Sequence, residues 1–367
     1  MRKSSKAKLL EPFSRPFVRS AWYCAGWPEE LGEALLARRI LDEPVVLYRT
    51  DAGEAVALLD ICPHKLAPMH LGCRVGANIR CGYHGLEFGP DGSCVRNPQG
   101  NGIIPPNARL KSYPLSERHG VLWIWMGDPT LADESLIPDF AHISDPARRS
   151  VKGGHKVACN YMMMVENLMD LGHALFLHGQ SAGLGTYDLA DSKVAQEDGG
   201  VVDERTYADV PPPLAFARYF PGPSVTVDFW NDIRWNPPSA IRNYTGAAPL
   251  GHARGEGSVF ILGSHLLTPE TQHSTHYFYA HSRNHAMDDD SVDEFYRNWQ
   301  RKALHQEDSM VAEAIDRTLR DAEALEVEMV VLSTDISGIK VNQILDRMVR
   351  DERLVAQGAG PAPVVTE

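Results

Sequence analysis

Cysteine is scarce in this chain. Six residues in 367 (Cys24, Cys62, Cys73, Cys81, Cys94 and Cys159) cannot staple so large a protein, which excludes a disulfide scaffold. A basic excess is also missing. Against 36 Lys and Arg stand 48 Asp and Glu, and a net charge of −12 is the wrong sign for a nucleic-acid surface. No run of about 18 apolar residues occurs, so no membrane span is expected. The first sixteen residues, MRKSSKAKLLEPFSRP, are basic but lack the apolar core of a secretory signal. Residues 1–16 read as a flexible N-terminal arm, and a reducing cytoplasm is the expected setting, where neighbouring Cys and His mean metal.

What is present looks globular. Hydrophobic residues make up 43% and charged ones 23%, and the length suggests about two domains. From Phe17 to about Gly127, short runs rich in β-branched and aromatic residues recur, such as PVVLYR (44–49), AVALLDI (55–61) and GVLWIWMG (120–127). Turn clusters separate them, which predicts a small antiparallel sandwich or barrel. A proline-bearing connector spans 128–150. The second half predicts a helix over about 161–178, then strands at 215–236, 239–247, 258–268 and 273–282. Helices are expected at 291–325, opened by a capping box at SVDE, and at 339–354. The fold class is α+β: an all-β N-terminal domain (17–140), then an α+β domain (141–356) with an antiparallel sheet and C-terminal helices. Residues 357–367 read as a disordered tail.

Three of the six cysteines and three histidines fall within Ile61–Phe88, ICPHKLAPMHLGCRVGANIRCGYHGLEF. Cys62-Pro-His64, sixteen residues, then Cys81-Gly-Tyr-His84 makes a C-x-H … C-x2-H pattern. Each half is a short loop with one thiolate and one imidazole. Two such loops can hold a [2Fe–2S] cluster with one iron on two Cys and the other on two His. Structural zinc loops pair like ligands at wider spacings, C-x2–4-C and H-x3–5-H, and do not fit. His70, Cys73 and Cys94 break the spacing and read as bystanders.

A second constellation lies in YMMMVENLMDLGHALFLHGQ (161–180). Asn167, Asp170 and His173 share one side of a helix, whereas His178 lies about 140° around from His173. The two imidazoles can meet on one ion only if the helix breaks or widens, and a π-bulge is a usual device for that. Two His and one carboxylate form the facial triad that leaves Fe(II) positions open to O2. Asp308 is the expected carboxylate and Glu307 its rival. Polar groups in apolar strands, Asn243 and His265, and Trp299 at a helix start mark a substrate pocket. Arg242 is either a carboxylate anchor or an outward-facing strand residue.

With C-x-H-x16-C-x2-H followed by N-x2-D-x2-H-x4-H, the chain resembles the Rieske non-haem iron oxygenases. One departure is Lys65, where many relatives carry Arg after the first His. The segments SAWYCAGWPEEL (20–31), FWNDIRWN (229–236), SHLLTPET (264–271) and EDSMVAEAIDR (307–317) extend the resemblance over most of the chain, toward oxygenase components that O-demethylate methoxylated benzoates. The resemblance implies a Rieske cluster on Cys62, His64, Cys81 and His84, and mononuclear iron on His173, His178 and Asp308. It implies that Asp170 bridges to the Rieske His of a neighbouring subunit in a head-to-tail homotrimer, with Asn167 near the open iron position. It also implies a separate ferredoxin or reductase as donor, and substrate contacts from Asn243, His265 and Trp299. Ring hydroxylation or N-demethylation are the alternatives within the family, and a pure electron-transfer protein the alternative outside it. Metal analysis separates these. About three irons per chain and broad visible bands are expected; two irons would mean electron transfer alone, and a colourless zinc protein would sink the reading.

Overall fold

A computed structural model describes residues 12–185, 187, 192–252, 254–255 and 257–357. By contacts the chain divides into two units: Arg19–Asp139 with Thr268–Thr271, and Met1–Val18 with Phe140–Leu267 and Gln272–Glu367.

The first of these is all β. Strands β1 (Trp22–Gly26), β2 (Leu36–Ile40), β3 (Glu43–Arg49), β4 (Ala55–Leu59), β5 (Cys73–Val75) and β6 (Asn78–Arg80) lead the chain order. Strands β7 (Glu87–Phe88), β8 (Cys94–Arg96), β9 (Ser112–Tyr113), β10 (Leu115–Arg118) and β11 (Val121–Trp125) follow. They form three small sheets, ordered β1-β11-β10, β2-β3-β4-β9 and β5-β6-β7-β8. Every residue of β1 and β11 is buried, so these two runs are apolar throughout rather than alternating. Trp22 and Trp125 face each other in register, with rings 5.6 Å apart.

The other unit is built on a seven-stranded antiparallel sheet. Its strands are β12 (Arg149–Val157), β13 (Ser192–Glu197), β14 (Gly200–Val210), β15 (Val227–Asn236), β16 (Ala240–Pro249), β17 (Val259–Thr271) and β18 (Ser274–Arg283), ordered β12-β18-β17-β16-β15-β14-β13. Helices α1 (Tyr161–Met169), α2 (Asp290–Gln300), α3 (Met310–Ala324) and α4 (Ile336–Ala356) complete it. Between α2 and α3 the rod does not break; residues Arg301–Ser309 widen into a π-helix.

Several expectations need correction. The helix predicted to reach 178 ends at Met169, because Asp170 leaves helical geometry (ψ 87°) and its carboxylate accepts from the Gly172 N–H at 2.9 Å. The widened turn lies in 301–309 rather than between His173 and His178. Strands β12, β13 and β14 were not anticipated, and 215–226 is not strand. Helix α2 is capped by Asp289, which accepts from Ser291 N at 3.0 Å, two residues before the expected box. Residues 1–11 of the expected arm, and 358–367 of the expected tail, lie outside the described residues. From Pro12 the arm is docked: Arg15 pairs with Asp346 at 2.8 Å and Asn342 at 3.1 Å, both on α4.

Helix α2 is seated by charge. Asp293 accepts from Arg149 at 2.7 Å, at the start of β12, and from Arg283 at 2.5 Å, at the end of β18. Burial works against the Asp293 carboxylate, but the two guanidinium groups outweigh it and hold its pKa below the ordinary value. Replacing Asp293 by Ala leaves buried Arg283 without its ionic partner. A loss of roughly 3 kcal/mol is expected, read as a lower Tm for this unit.

Candidate functional site

The two Cys–His loops share a backbone design. In 62–67, Cys62 N–H donates to Ala67 O (2.9 Å) and Leu66 N–H to Cys62 O (2.9 Å). In 81–86, Cys81 N–H donates to Leu86 O (2.8 Å) and Gly85 N–H to Cys81 O (3.1 Å). The fifth residue of each loop has positive φ: Leu66 at 58° and Gly85 at 77°. The Cys62 and Cys81 side chains turn into an apolar cluster with Met69, Ile79 and Phe88. The His64 and His84 rings stand 4.4 Å apart at the surface side. Gly72 permits the neighbouring segments to close up, since a Cβ there would lie 1.9 Å from Arg80 O.

This donor set fits a mixed-ligand cluster. Burial pushes the Cys62 thiol up to about 11, while the backbone N–H groups of His64 and Lys65 directed at the sulfur oppose that. A buried thiolate of this kind forms only with a compensating cation, which metal charge supplies. The bystanders stand apart. His70 is held by Asp60 through Nδ1 (2.5 Å), Cys73 is exposed, and the Cys94 sulfur donates to Arg96 O.

The second constellation converges. His173 sits in a short 3₁₀ turn, His173–Leu175, and its Nδ1 donates to Asp170 O. His178 donates through Nδ1 to Glu307 Oε2 at 2.7 Å, and Ser181 Oγ also donates to that oxygen at 2.7 Å. With both Nδ1 atoms engaged, both Nε2 atoms turn inward. They lie 3.3 Å apart, and Asp308 Oδ1 is 3.4 Å from the first and 3.0 Å from the second. These are donor atoms of one ion's coordination sphere. Burial favours a neutral Asp308, yet the two imidazoles outweigh it and bring its pKa to about 2. Burial likewise opposes a charged His178, and Asp308 with Glu307 reverses that, raising its pKa.

Asp308 arrives on the π-helix, whose wide turn is closed by Ser309 Oγ donating to Leu304 O, five residues back, at 2.6 Å. Glu307, the rival ligand in the sequence, orients His178 from outside instead. Asn167 donates to Asp308 Oδ1 at 3.4 Å, while its own Oδ1 is buried without a partner. Asn167 and Asp170 line a groove with Phe176, Ile315 and Val330 rather than the main cavity.

That cavity, about 140 Å³, is walled by His173, His178 and Asp308 on one side. It is the size of a single aromatic ring, since an engineered void of about 150 Å³ accepts benzene. Alternate residues of the sheet face it: Phe229, Asn231 and Ile233 on β15, Asn243 and Thr245 on β16, Ile261 and His265 on β17, and His281 on β18. Helix α2 contributes Tyr296 and Trp299. Thus Asn243, His265 and Trp299, each singled out from sequence, line one cavity with the metal-type triad. Arg242 does not line it; indeed, no Lys or Arg does among the described residues. His281, Asn231 and the outer role of Glu307 escaped the sequence reading. The period-two pattern along β15 could have given Asn231, the register partner of Thr245 on β16; nothing local flagged His281.

Comparison with known proteins now decides the family. Residues 157–351 match the vanillate O-demethylase oxygenase C-terminal domain, and residues 21–114 match the Rieske [2Fe-2S] domain. The chain belongs to the Rieske non-haem iron oxygenases. Within this family it is 44% identical to the oxygenase component of dicamba O-demethylase from Stenotrophomonas maltophilia, over 90% of this chain and 98% of that one. It is 31% identical to the vanillate O-demethylase oxygenase subunit of Pseudomonas sp. (strain HR199), over 94% and 98%. The crystal structure of dicamba monooxygenase bound to dicamba aligns with a TM-score of 0.86 at 43% identity, covering 92% of this chain and 99% of that one. A Rieske oxygenase component takes its electrons from a separate redox protein. Among the described residues no helix is long and apolar enough to cross a membrane.

The outer carboxylate is testable by itself. Glu307→Ala is expected to weaken iron binding about 10- to 100-fold, because the His178 imidazole loses its orienting partner. Competitive chelation reads the affinity, and unchanged visible bands confirm that the cluster is intact.

Proposed function

We propose that this chain is the terminal oxygenase of a multicomponent monooxygenase that O-demethylates a one-ring methoxylated aromatic acid. The overall change is balanced as methoxyarene, O2, two electrons and two protons giving phenol, formaldehyde and water. The observation that carries the reading is the junction of a two-His, one-carboxylate triad with a ring-sized, mostly apolar cavity.

In this reading Cys62, His64, Cys81 and His84 hold the [2Fe–2S] cluster, whose two imidazoles raise its potential above that of an all-Cys cluster. His173, His178 and Asp308 hold mononuclear Fe(II), a centre that keeps positions open for O2. The chain's own work is positional. Asp170 O and Glu307 keep both Nε2 atoms facing the metal position. Asn167 steadies Asp308. Phe229, Ile261 and Trp299 would confine the ring beside the His173, His178 and Asp308 triad, and the apolar wall would exclude water from that space. Asn243, His265 and Trp299 line this space and contact the substrate.

Asp170 lies at the mouth of the groove beside Phe176, which is 80% exposed. Around His64 and His84, the apolar side chains of Leu66, Leu71 and Tyr83 are exposed too. Two apolar surfaces of this kind support a head-to-tail homotrimer in which Asp170 of one subunit meets a cluster imidazole of the next. Free cysteines among the described residues support a reducing cytoplasm.

The test is turnover of a panel of methoxybenzoates with a surrogate reductase. Formaldehyde equal to the phenol formed is expected; peroxide without formaldehyde across the panel counts against demethylation. His173→Ala and Asp308→Ala should each abolish formaldehyde, a loss of at least about 10³-fold, while the cluster's visible bands remain. Bands and turnover vanishing together would mean that the two metal positions are not independent.

A further inference from the structure

The cavity must grip the polar end of its substrate without a Lys or Arg, and its histidines differ in what fixes their protons. We propose that His281 is a specificity-determining residue of this cavity, giving its Nε2–H to a ring carboxylate beside the Nε2–H of His265. The proposal rests on the O-demethylase reading and names which part of the substrate the strand side recognises.

The chain of reasoning starts at Gln300, the last residue of α2. Its Nε2 lies 3.1 Å from Val151 O and 2.7 Å from His281 Nδ1. A carbonyl accepts only, so Val151 fixes the amide with nitrogen at this end. One amide hydrogen goes to Val151 and the other to His281 Nδ1. His281 Nδ1 is therefore an acceptor, and the ring proton sits on Nε2. The ring is fully enclosed, stacked on Tyr296 with centroids 6.4 Å apart and edge-on to Trp299 at 5.2 Å. Burial, with His265 adding to it, pushes its pKa down to about 3, so it is a neutral donor.

His265 arrives at the same state by another route. Its Nδ1 lies 2.6 Å from Tyr277 Oη. Burial raises the Tyr277 pKa well above the ordinary value, so the phenol keeps its proton. Among the described residues His265 Nδ1 is the hydrogen-bond partner of this enclosed hydroxyl, and the O–H donates to it rather than going unpaired. That leaves the His265 proton on Nε2. Both rings approach one spot on the sheet. An added Cβ at Gly263 would lie 3.3 Å from His265 Nε2, 3.6 Å from His281 Cδ2 and 3.3 Å from Asn243 Cβ. Cδ2 is the ring neighbour of Nε2, so the two N–H groups flank the place that Gly263 leaves open. Asn243 cannot serve there as a donor. Its Nδ2 already gives its hydrogens to Asn231 Oδ1 (2.7 Å) and Asp232 O (3.1 Å).

Two neutral N–H donors, on rings 5.9 Å apart and set at 82° to each other with no Lys or Arg beside them, suit the two oxygens of a carboxylate on a single ring. A hydrocarbon substituent there would leave both N–H groups unpaired in an apolar enclosure.

The test uses the oxidised holoenzyme without reductant, so that binding is read apart from turnover. The tightest-binding methoxybenzoate isomer and the matching methoxytoluene are titrated by calorimetry. His281→Leu is expected to weaken the benzoate about tenfold or more and the toluene less than about threefold, since a hydrogen bond to a charged group is lost in only one case. His281→Gln, which keeps a donor, should recover the benzoate to within about threefold of the native protein. Under turnover the loss falls on KM more than on kcat. Gln300→Leu touches no cavity-lining atom and frees His281 Nδ1 to carry the proton. It should weaken the benzoate selectively by several-fold, and serves if His281→Leu loses its cluster bands. Equal weakening of both ligands, no weakening of the benzoate, or native protein preferring the toluene overturns the assignment. Formaldehyde is scored separately. Its absence from every isomer defeats the O-demethylase reading, while the binding comparison still reports on His281.

Discussion

Two imidazole Nε2 atoms and a carboxylate oxygen, held within 3.4 Å of one another in a largely buried place, are the constraint from which the catalytic unit follows. Left alone, each ring could rotate, and each could turn either nitrogen inward. The chain removes that freedom from outside, by giving both Nδ1 atoms a fixed acceptor. One acceptor is a backbone carbonyl, which exists only because α1 stops at Met169 and Asp170 turns out of the helix. The other is Glu307, which reaches His178 because Arg301–Ser309 is wound as a π-helix. Departures from regular helix on both sides are thus how the geometry is made, and the Asp293–Arg149–Arg283 grouping holds the departing rod against the sheet.

The division between legible and hidden features follows ligand chemistry. Cys and His in short, odd spacings stand out because few tasks other than metal binding reward them, so the residues that the structure brings together as His173, His178 and Asp308, and as the His64 and His84 pair, could be picked out from residues alone. The strand runs 44–49, 55–61 and 120–127 were equally plain, being rich in β-branched and aromatic side chains. What sequence periodicity did not carry was the location of the irregular turns. Asp170 has ordinary helix-face spacing, and only its side chain competing for Gly172 N–H ends the helix there. Strands β13 and β14, SKVAQE and GVVDERTYADV, were hidden because charge falls on buried as well as exposed positions, Asp203 and Arg205 being a buried pair, which blurs the period-two pattern. The proton positions on His265 and His281 were out of reach altogether, since Tyr277 and Gln300 meet them only in three dimensions.

The cluster loops make a related point at smaller scale. CPHKLA and CGYHGL share only the opening Cys at equal positions, yet their hydrogen bonds coincide. The His falls at the third position of one loop and the fourth of the other. Hence the unequal spacings, C-x-H against C-x2-H, sit within equal frames. The left-handed residue that closes each frame is glycine in one and Leu66 in the other, where a β-carbon makes that conformation uncommon. Leu66 is 73% exposed, so the side chain gains nothing from the unit's own core.

The continuous rod from Asp290 to Ala324 carries Trp299, Ala303 and Leu304 on the cavity wall and Asp308 at the metal position. Anything that shifts this rod to make room for a bulkier ring also drags Asp308 away from the two imidazoles. The strand wall is different. Asn231, Thr245, Ile261 and His281 face the same space from separate strands, none of which bears a ligand of the mononuclear site. A change of substrate scope therefore belongs on the strands, where the cavity can be reshaped while the triad keeps its alignment.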